Sequence, residues 1–157
     1  MKNWTELENS SFFDANARER ALGMVDKGTF TEFLNPLDRY CSPHLPVLGT
    51  AVEFDDGTVC GVGLLGKHPV FVVSMEGKFI GGAIGEVNGG KMVATIRLAL
   101  KAAADIKAKY PEEYAVRRPL VAVSFETGGV RLHEANAGLL AHAEVMELSR
   151  TAAVSFR

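Results

Sequence analysis

Two glycine pairs are the residues of this sequence whose type and spacing point to chemistry. Gly81-Gly82 and Gly128-Gly129 each follow an apolar run and precede a segment with helical periodicity. Such loops present main-chain N–H groups that no side chain covers, and the first turn of a helix has N–H groups without internal partners. Two such loops, brought together, can hold one oxygen between two donors and stabilise a developing negative charge. The candidate segments for such a site are Gly81-Gly82-Ala83 and Gly128-Gly129.

Other interpretations of the glycines are open at this stage. Residues 85–91, GEVNGGK, fit the GxxxxGK pattern of phosphate-binding loops, but Met92 stands where such a loop needs Ser or Thr to hold magnesium. Residues 61–66, GVGLLG, match GxGxxG, but a β-rich run follows where a dinucleotide site needs a helix, so we treat this match as chance. The glycines could also serve only tight turns and close packing.

Side chains offer weaker candidates for catalysis. Cys41 and Cys60 have no base nearby in the sequence, and no GxSxG motif occurs. The histidines lack the spacing of metal ligands, so we expect no bound metal. Arg131 and Glu134 are three residues apart on a predicted helix, which favours an ion pair. Glu134 or His133 could instead donate a proton.

Composition and charge exclude several classes of protein. The 157 residues include 17 Lys and Arg against 19 Asp and Glu, a net charge of −2, whereas nucleic-acid binders normally carry a basic excess. No apolar run approaches the ~18 residues of a membrane-spanning helix, and the first residues have no signal-peptide core. We therefore expect a cytoplasmic chain that binds neither nucleic acid nor membrane. The two cysteines form no CxxC pair, so no disulfide framework is expected.

Residues 1–50 are predicted to form two helices and a proline-rich arm. Ser11 and Asp14 fit a capping box that opens a helix running to about Lys27, and a similar pattern at Thr29 predicts a short second helix. Residues 35–49 contain three prolines, which lack the N–H that regular ladders need, so an irregular arm is expected there.

Residues 51–157 are predicted to form the α/β core. Strands are expected at 53–58, ending in an Asp56-Gly57 turn, and at 58–65, 69–75 and 120–125. Helices are expected from Gly90 to about Tyr110 and from 126–129 to about Ser149. The first should bury Met92, Ile96, Ala99, Ala103, Ile106 and Tyr110 and leave Lys91, Thr95, Lys101, Asp105 and Lys109 in water. The second should share a face formed by Leu132, Ala135, Leu139, Ala143 and Met146. The order of strand, glycine loop and helix, repeated, is typical of parallel β/α units.

Several segments resemble one known family. Residues 79–91, FIGGAIGEVNGGK, and 127–134, TGGVRLHE, resemble the two glycine motifs of carboxyltransferase domains of the crotonase superfamily. Residues 11–20, SFFDANARER, 42–46, SPHLP, and 134–136, EAN, are similar to the β subunits of biotin-independent malonate decarboxylases. The resemblance covers essentially the whole chain.

The resemblance implies a fold, a reaction and partners. The fold would be crotonase-like (ClpP/crotonase), built of ββα units. A β subunit of this family pairs with a γ subunit, and the pair decarboxylates a malonyl thioester on an acyl carrier protein to the acetyl thioester. A separate α subunit exchanges malonate for acetate on the carrier, whose prosthetic group derives from dephospho-coenzyme A. The chain itself would bind no cofactor.

The family's site residues carry over by position. The resemblance implies that the oxyanion donors are the N–H groups of Gly82 or Ala83 and of Gly128 or Gly129, and that the substrate contacts are Phe79, Gly81 and Val130. Two alternatives stay open: a carboxyltransferase subunit of a biotin-dependent acyl-coenzyme A carboxylase, and a non-catalytic assembly subunit.

The sequence departs from the family pattern at two places. Glu126 stands where members more often carry Asp, which could shift the second loop. The chain ends at Arg157, whereas family subunits are considerably longer, so we expect an amino-terminal portion whose fold is incomplete at the C-terminus. An open sheet edge or core face should then be covered by another chain or by self-association.

Overall fold

A computed structural model describes residues 11–38, 40–48, 57–134 and 136–155, and its centre is a four-stranded sheet. The strands are β1 (Thr31–Phe33), β2 (Thr58–Leu65), β3 (His68–Met75) and β4 (Leu120–Ser124), in that order across the sheet. β1, β2 and β3 pair antiparallel, and β3 pairs parallel with β4. The strands expected at 58–65, 69–75 and 120–125 are thus confirmed. The strand expected at 53–58 and Asp56 of its turn lie almost wholly outside the described residues.

Helices connect and cover the strands. The α-helices are α1 (Ala17–Gly23), α2 (Glu86–Lys109), α3 (Tyr114–Arg117) and α4 (Asn136–Ser155). Because α2 links β3 to the parallel β4, the predicted parallel β/α unit is confirmed. In the described part of the chain, no helix combines the length and apolar character needed to cross a membrane.

The core lies on both faces of the sheet. Val59, Val70 and Val72 pack with residues of α1, including Ala17 and Ala21. On the other face, residues of β2 and β3 pack against α2 and α4 in a cluster of Cys60, Val73, Met75, Ile84, Met92, Val93, Ile96, Val145 and Ala152. β3 is therefore covered on both sides, as its continuously apolar sequence predicts. The proposed division at residue 50 stays a prediction, although α1 and β1 pack on or pair with the sheet.

The first helix begins later than predicted. Its N-cap is Asn16, whose Oδ1 accepts the N–H of Glu19 at 2.9 Å while the Glu19 carboxylate accepts the N–H of Asn16 at 2.9 Å. The Ser11 hydroxyl oxygen instead accepts the N–H of Phe13, at 3.2 Å, in the turn that precedes the helix. Two successive capping patterns occur in the sequence, at 11–14 and 16–19, and the second makes both reciprocal bonds that define a capping box.

The short second helix predicted from Thr29 is wrong, because β1 occupies residues 31–33. β1 pairs with β2, with Thr31 opposite Val62 and Phe33 opposite Cys60. The Thr29 hydroxyl does not start a helix: it donates to the carbonyl of Asp26 at 2.7 Å and accepts the N–H of Leu64 at 3.0 Å. Pairing with a neighbouring strand therefore overrides the local capping signal. The arm that follows is irregular, as predicted, with 3₁₀ turns at Pro36–Asp38 and Leu45–Leu48.

Helix α2 starts inside the glycine stretch, at Glu86, and ends at Lys109, close to the predicted end. Met92, Ile96, Ala99 and Ala103 are buried as predicted, whereas Tyr110 is exposed. The prediction that Lys91 and Thr95 lie in water is wrong, since both are buried. The reason is that α2 contacts both the sheet and α4, so a single buried stripe does not describe it.

Helix α4 also begins later than predicted, at Asn136, after a 3₁₀ turn at Leu132–Glu134. The spacing of Leu139, Ala143 and Met146 places them on one face of this helix, as predicted, and that face is exposed; Leu132 lies before the helix and is exposed as well. Ala135 lies outside the described residues. The buried residues are Gly138, Val145 and Ala152, seven apart, which face the rest of the fold. β4 lies at the sheet edge and is half-buried.

Candidate functional site

The first glycine loop has an unusual backbone. Three consecutive residues have left-handed φ angles: Ile80 at 49°, Gly81 at 63° and Gly82 at 67°. Glycine adopts these angles readily, but a β-branched residue such as Ile80 does so only at a cost in free energy. Strain of this kind is concentrated at functional sites, where surrounding contacts hold it in place.

The second glycine loop lies directly against the first. The N–H of Gly128 donates to the carbonyl of Gly81 at 2.8 Å, and the N–H of Ile84 donates to the carbonyl of Gly129 at 2.8 Å. A Cβ atom placed on Gly82 would lie 1.8 Å from the carbonyl oxygen of Glu126. The structure therefore brings the two predicted loops together, and only glycine fits at their closest approach.

The four N–H groups predicted as oxyanion donors all have acceptors within the chain. The bonds run from Gly82 to the carbonyl of Phe79 (2.9 Å), from Ala83 to that of Ile80 (3.1 Å), from Gly128 to that of Gly81 (2.8 Å) and from Gly129 to the hydroxyl of Thr127 (3.1 Å). These bonds hold the loops in shape. A donor role for these four groups stays a prediction, and would require the bonds to be shared or broken.

The predicted substrate contacts lie in the same two loops. The N–H groups of Gly81 and Val130 have no hydrogen-bond acceptor among the described residues, so they are available to a ligand. Val130 is bridged to Ile84 in a short parallel ladder, which fixes its main chain. The ring of Phe79 lies 5.5 Å from the guanidinium of Arg131, a cation–π contact beneath the first loop.

A buried ion pair supports both loops. Nη1 of Arg131 lies 2.9 Å from Oε1 of Glu134, and both side chains are 0% exposed. Nη2 of Arg131 donates to the carbonyl of Ala83 at 3.0 Å, and Oε2 of Glu134 accepts the N–H of Glu86. The predicted ion pair is confirmed, although it lies in the 3₁₀ turn before α4. Because both oxygens of Glu134 are engaged and buried, the geometry favours a structural role for Glu134 over proton donation.

The start of α2 is capped from within the first loop. The N–H of Gly85 donates to Oδ1 of Asn88 at 2.6 Å, and Nδ2 of Asn88 donates to the carbonyl of Ala83 at 3.1 Å. A Cβ on Gly85 would lie 2.3 Å from the Glu134 carboxylate. Residues 86–91 of the GxxxxGK segment are therefore helical, and Nζ of Lys91 donates to the carbonyl of Thr58 at 2.6 Å. This geometry argues against the phosphate-loop hypothesis.

Sequence reasoning missed a second support, Arg20 of α1. Arg20 is 4% exposed, and it donates to the carbonyls of Ala15 and Met75, each at 2.5 Å, and to the carboxylate of Glu126. It thereby joins α1 to the end of β3 and to the residue that precedes the second loop. No sequence signal indicates this contact, since Arg20 and Glu126 are 106 positions apart.

Sequence reasoning also missed a polar cluster at the start of α2. The Ser42 hydroxyl donates to Oε1 of Glu86 at 3.0 Å, and Nδ1 of His44 lies 3.4 Å from the same oxygen. Ser42 and Leu45 are buried, so the arm is anchored on both sides of His44. The segment SPHLP contributed to the family resemblance, but nothing in its sequence indicated that Glu86 would be the partner. Among the described residues, no cluster of His, Cys, Asp and Glu is suited to a metal ion.

Most of the chain is similar in sequence to a known carboxyltransferase. No protein-family model matches the chain. The malonyl-S-ACP:biotin-protein carboxyltransferase MADC of Malonomonas rubra is 61% identical over 147 residues, which are 94% of this chain and 46% of that protein.

Solved structures agree with this relationship. A Pseudomonas malonate decarboxylase hetero-tetramer in complex with malonate contains a chain with 37% identity and a TM-score of 0.76, matched over 98% of this chain and 51% of that one. Transcarboxylase 12S, with 23% identity and a TM-score of 0.67, shares the fold. The chain spans about half the length of the curated relative and of the malonate decarboxylase chain. It is therefore carboxyltransferase-like with a crotonase-like fold, as predicted, and is related over nearly its whole length to MADC and to a malonate decarboxylase subunit.

Proposed function

We propose that this chain contributes the oxyanion loops of a site that removes the carboxyl group from a malonyl thioester carried on an acyl carrier protein. The observation that carries the proposal is the junction of the two glycine loops, with left-handed backbone from Ile80 to Gly82 and the bond from Gly128 to Gly81. The 61% identity to a protein named for malonyl-S-ACP supports this substrate class.

Loss of the carboxyl group requires hydrogen-bond donors at the thioester oxygen, where negative charge develops. When the carboxyl group leaves, the electrons of the broken carbon–carbon bond move onto the thioester oxygen and form an enolate. Fixed N–H groups lower this barrier, and one such donor is typically worth a factor of about 10²–10³ in rate. The N–H groups of Gly81 and Val130 are the available donors in the two loops, because the other candidates hold the loops together.

The rigidity of the loops is the second requirement. Donors act best when they do not have to reorganise as charge develops. The buried pair of Arg131 and Glu134 contacts Ala83 and Glu86 of the first loop and of α2, and Arg20 holds Glu126 before the second loop. These contacts keep the N–H groups of the two loops in fixed positions.

The proposed reaction has two possible outcomes for the carboxyl group: transfer to a biotin protein or release as CO₂. The name of the Malonomonas relative supports transfer to a biotin protein, and with it the alternative of a biotin-dependent carboxyltransferase. The structural match to malonate decarboxylase supports the carboxy-lyase predicted from the sequence, which releases CO₂ from malonyl thioester. We favour transfer to a biotin protein, because the identity to the protein with that name is higher.

The proposed partners follow from the same family. We infer a related γ subunit, an acyl carrier protein with a prosthetic group derived from dephospho-coenzyme A, and an α transferase subunit, with no cofactor bound by this chain. The Pseudomonas malonate decarboxylase to which the chain is similar is a hetero-tetramer. The half-buried edge strand β4 and the exposed apolar side chains of α4 are suited to burial against another chain or another copy; those side chains are Leu139, Leu140, Met146 and Val154. A stable, monodisperse monomer in sedimentation would contradict this inference.

A reconstituted complex tests the proposed function. The complex is supplied with malonyl thioester on the carrier protein, with and without a biotin protein, and both acetyl thioester and labelled carboxyl are followed. Transfer predicts that acetyl thioester forms only with the biotin protein, which gains the label. Formation of acetyl thioester and CO₂ without it would identify the carboxy-lyase. No turnover in an assembled complex would favour the assembly role.

A further inference from the structure

The imidazole of His44 lies beside a carboxylate at the start of α2. Its Nδ1 lies 3.4 Å from Oε1 of Glu86, and the Ser42 hydroxyl donates to that same oxygen at 3.0 Å. The main-chain N–H of His44 also donates to the Ser42 hydroxyl, at 3.2 Å. A carboxylate at one ring nitrogen orients an imidazole and fixes the role of the other nitrogen. Because the side chain is half exposed, Nε2 is accessible.

The position of His44 follows from its neighbours. Glu86 is the first residue of α2, two positions after Ile84, and its N–H donates to Glu134. The turn Leu45–Leu48 that follows His44 contacts the turn Leu132–Glu134 that follows the second loop. The arm thus lies against the segments that follow both loops, and His44 is a half-exposed ionisable side chain on this arm.

The other ionisable side chains described around the loops are buried, paired or without an orienting carboxylate, and exposed Lys78, next to Phe79, belongs to the last group. Arg131 and Glu134 are buried against each other, and Glu126 pairs with Arg20. His133 is exposed, and no carboxylate among the described residues orients it. His44 therefore combines exposure with a neighbouring carboxylate, an arrangement that suits an imidazole to proton transfer.

We propose that His44 carries the proton that completes the reaction, an inference that rests on the proposed function. After the carboxyl group leaves, the enolate collapses: its electron pair takes the proton from Nε2 of the imidazolium, a C–H bond forms at the former malonyl methylene carbon, and the thioester carbonyl is restored. His44 becomes neutral and regains a proton from solvent, and in transfer to a biotin protein the N–H proton displaced from biotin by the carboxyl group is released to solvent, so the protons balance. Glu86 is a positioning residue that also stabilises the charged ring.

Deuterium exchange isolates this step. The complex is mixed with acetyl thioester on the carrier protein in D₂O, without any carboxyl acceptor, and deuterium in the methyl group is measured by mass spectrometry. The reverse of the proposed step removes a methyl proton to neutral His44. General acid–base catalysis contributes about 10²–10⁴-fold, so His44→Gln should slow exchange by about 100-fold or more. Glu86→Gln should slow it less, since glutamine keeps an oxygen that can accept from Nδ1 but loses the negative charge.

His133→Gln is the matched control, because it removes the neighbouring histidine of the same loop region. Exchange at the wild-type rate in His133→Gln, together with loss in His44→Gln and an unchanged KM for the carrier thioester, supports the proposal. Unchanged exchange in His44→Gln, or loss of exchange only in His133→Gln, overturns the proposal for His44. The proposed function still stands in that case if the complex consumes malonyl thioester. A wild-type complex that neither exchanges nor consumes malonyl thioester overturns the proposed function as well.

Discussion

The main-chain N–H of Gly128 lies 2.8 Å from the carbonyl oxygen of Gly81, and this hydrogen bond joins loops that are nearly fifty residues apart in sequence. It forms because β3 and β4 are parallel neighbours, so the loops that follow them leave the same edge of the sheet. The bond also uses an N–H group that would otherwise be a candidate oxyanion donor. The available N–H groups of Gly81 and Val130 flank the junction on either loop.

Alanine substitutions at Gly81 and Gly82 distinguish backbone strain from a steric clash between the two loops. Gly81→Ala meets open space but must adopt a φ of +63°, which costs roughly 1–2 kcal/mol. Gly82→Ala has similar strain and also places its Cβ 1.8 Å from the Glu126 carbonyl, so the loops must separate. We expect Gly82→Ala to lose turnover and Gly81→Ala to keep part of it. Chemical denaturation and turnover measure both variants, and equal losses would contradict the proposed contact.

Removing one residue of the buried pair Arg131–Glu134 should destabilise the fold more than replacing both residues with apolar ones. Removing one partner of a buried ion pair leaves an uncompensated charge and typically costs about 3–5 kcal/mol. We therefore expect Arg131→Met to lower the free energy of unfolding by that amount. The double variant Arg131→Met/Glu134→Leu should be less destabilised, because no charge is left buried. A double variant that is less stable than Arg131→Met, by urea denaturation, would show that the hydrogen bonds to Ala83 and Glu86 dominate.

Two glutamates paired with arginines of α1 give a matched test of loop positioning. Glu126 pairs with the buried Arg20, and Glu32 pairs with the more exposed Arg18 at 2.7 Å. Glu126→Gln should loosen the second loop and reduce turnover by about 10- to 100-fold, because small misplacements of catalytic groups cost up to about 100-fold. Glu32→Gln should leave turnover unchanged, because its pair with Arg18 joins β1 to α1 and does not involve the glycine loops. Equal turnover in the two variants would remove Arg20 from the account.

Adjacent glycines in α2 should respond oppositely to alanine. A Cβ on Gly89 would lie 2.6 Å from Cβ of Ala141 in α4, whereas a Cβ on Gly90 meets nothing within 4 Å. Gly90→Ala should therefore stabilise the chain by about 0.5–1 kcal/mol through helix propensity. Gly89→Ala should destabilise it by about 1–3 kcal/mol through overpacking. Thermal unfolding of both variants measures the difference, and stabilisation by Gly89→Ala would contradict the close packing of α2 on α4.

The main features of the fold could be predicted because they depend on local pattern. Continuous apolar runs indicated β3 and β4, an alternating segment indicated β2, and glycine pairs after β3 and β4 located the loops. The predictions fail where contacts with distant parts of the chain determine the local structure or the burial of a residue. Thr29 begins a capping sequence, but residues 31–33 pair with the edge of β2 and form β1. Lys91 is polar, yet it is buried because its ammonium reaches the carbonyl of Thr58.

The candidate site was predictable only in part for the same reason. The residue types of the loops and the pairing of Arg131 with Glu134 follow from short spacing. The N–H acceptors within the loops depend on the left-handed turn at Ile80, which no residue type indicates. Arg20 and His44 find their carboxylate partners across long stretches of sequence, so only the folded chain identifies them.

The central claim is that main-chain N–H groups of the joined loops stabilise the enolate oxygen. Proline is unsuitable as a test at Gly129, because its φ of +124° is closed to proline, and at Gly128 it would remove the bond between the loops. Replacing the Val130 amide with an ester deletes one N–H and keeps the side chain. In the assembled complex, malonyl thioester turnover should fall by about 10²–10³-fold with KM nearly unchanged. Wild-type turnover by the Val130 ester would contradict the account.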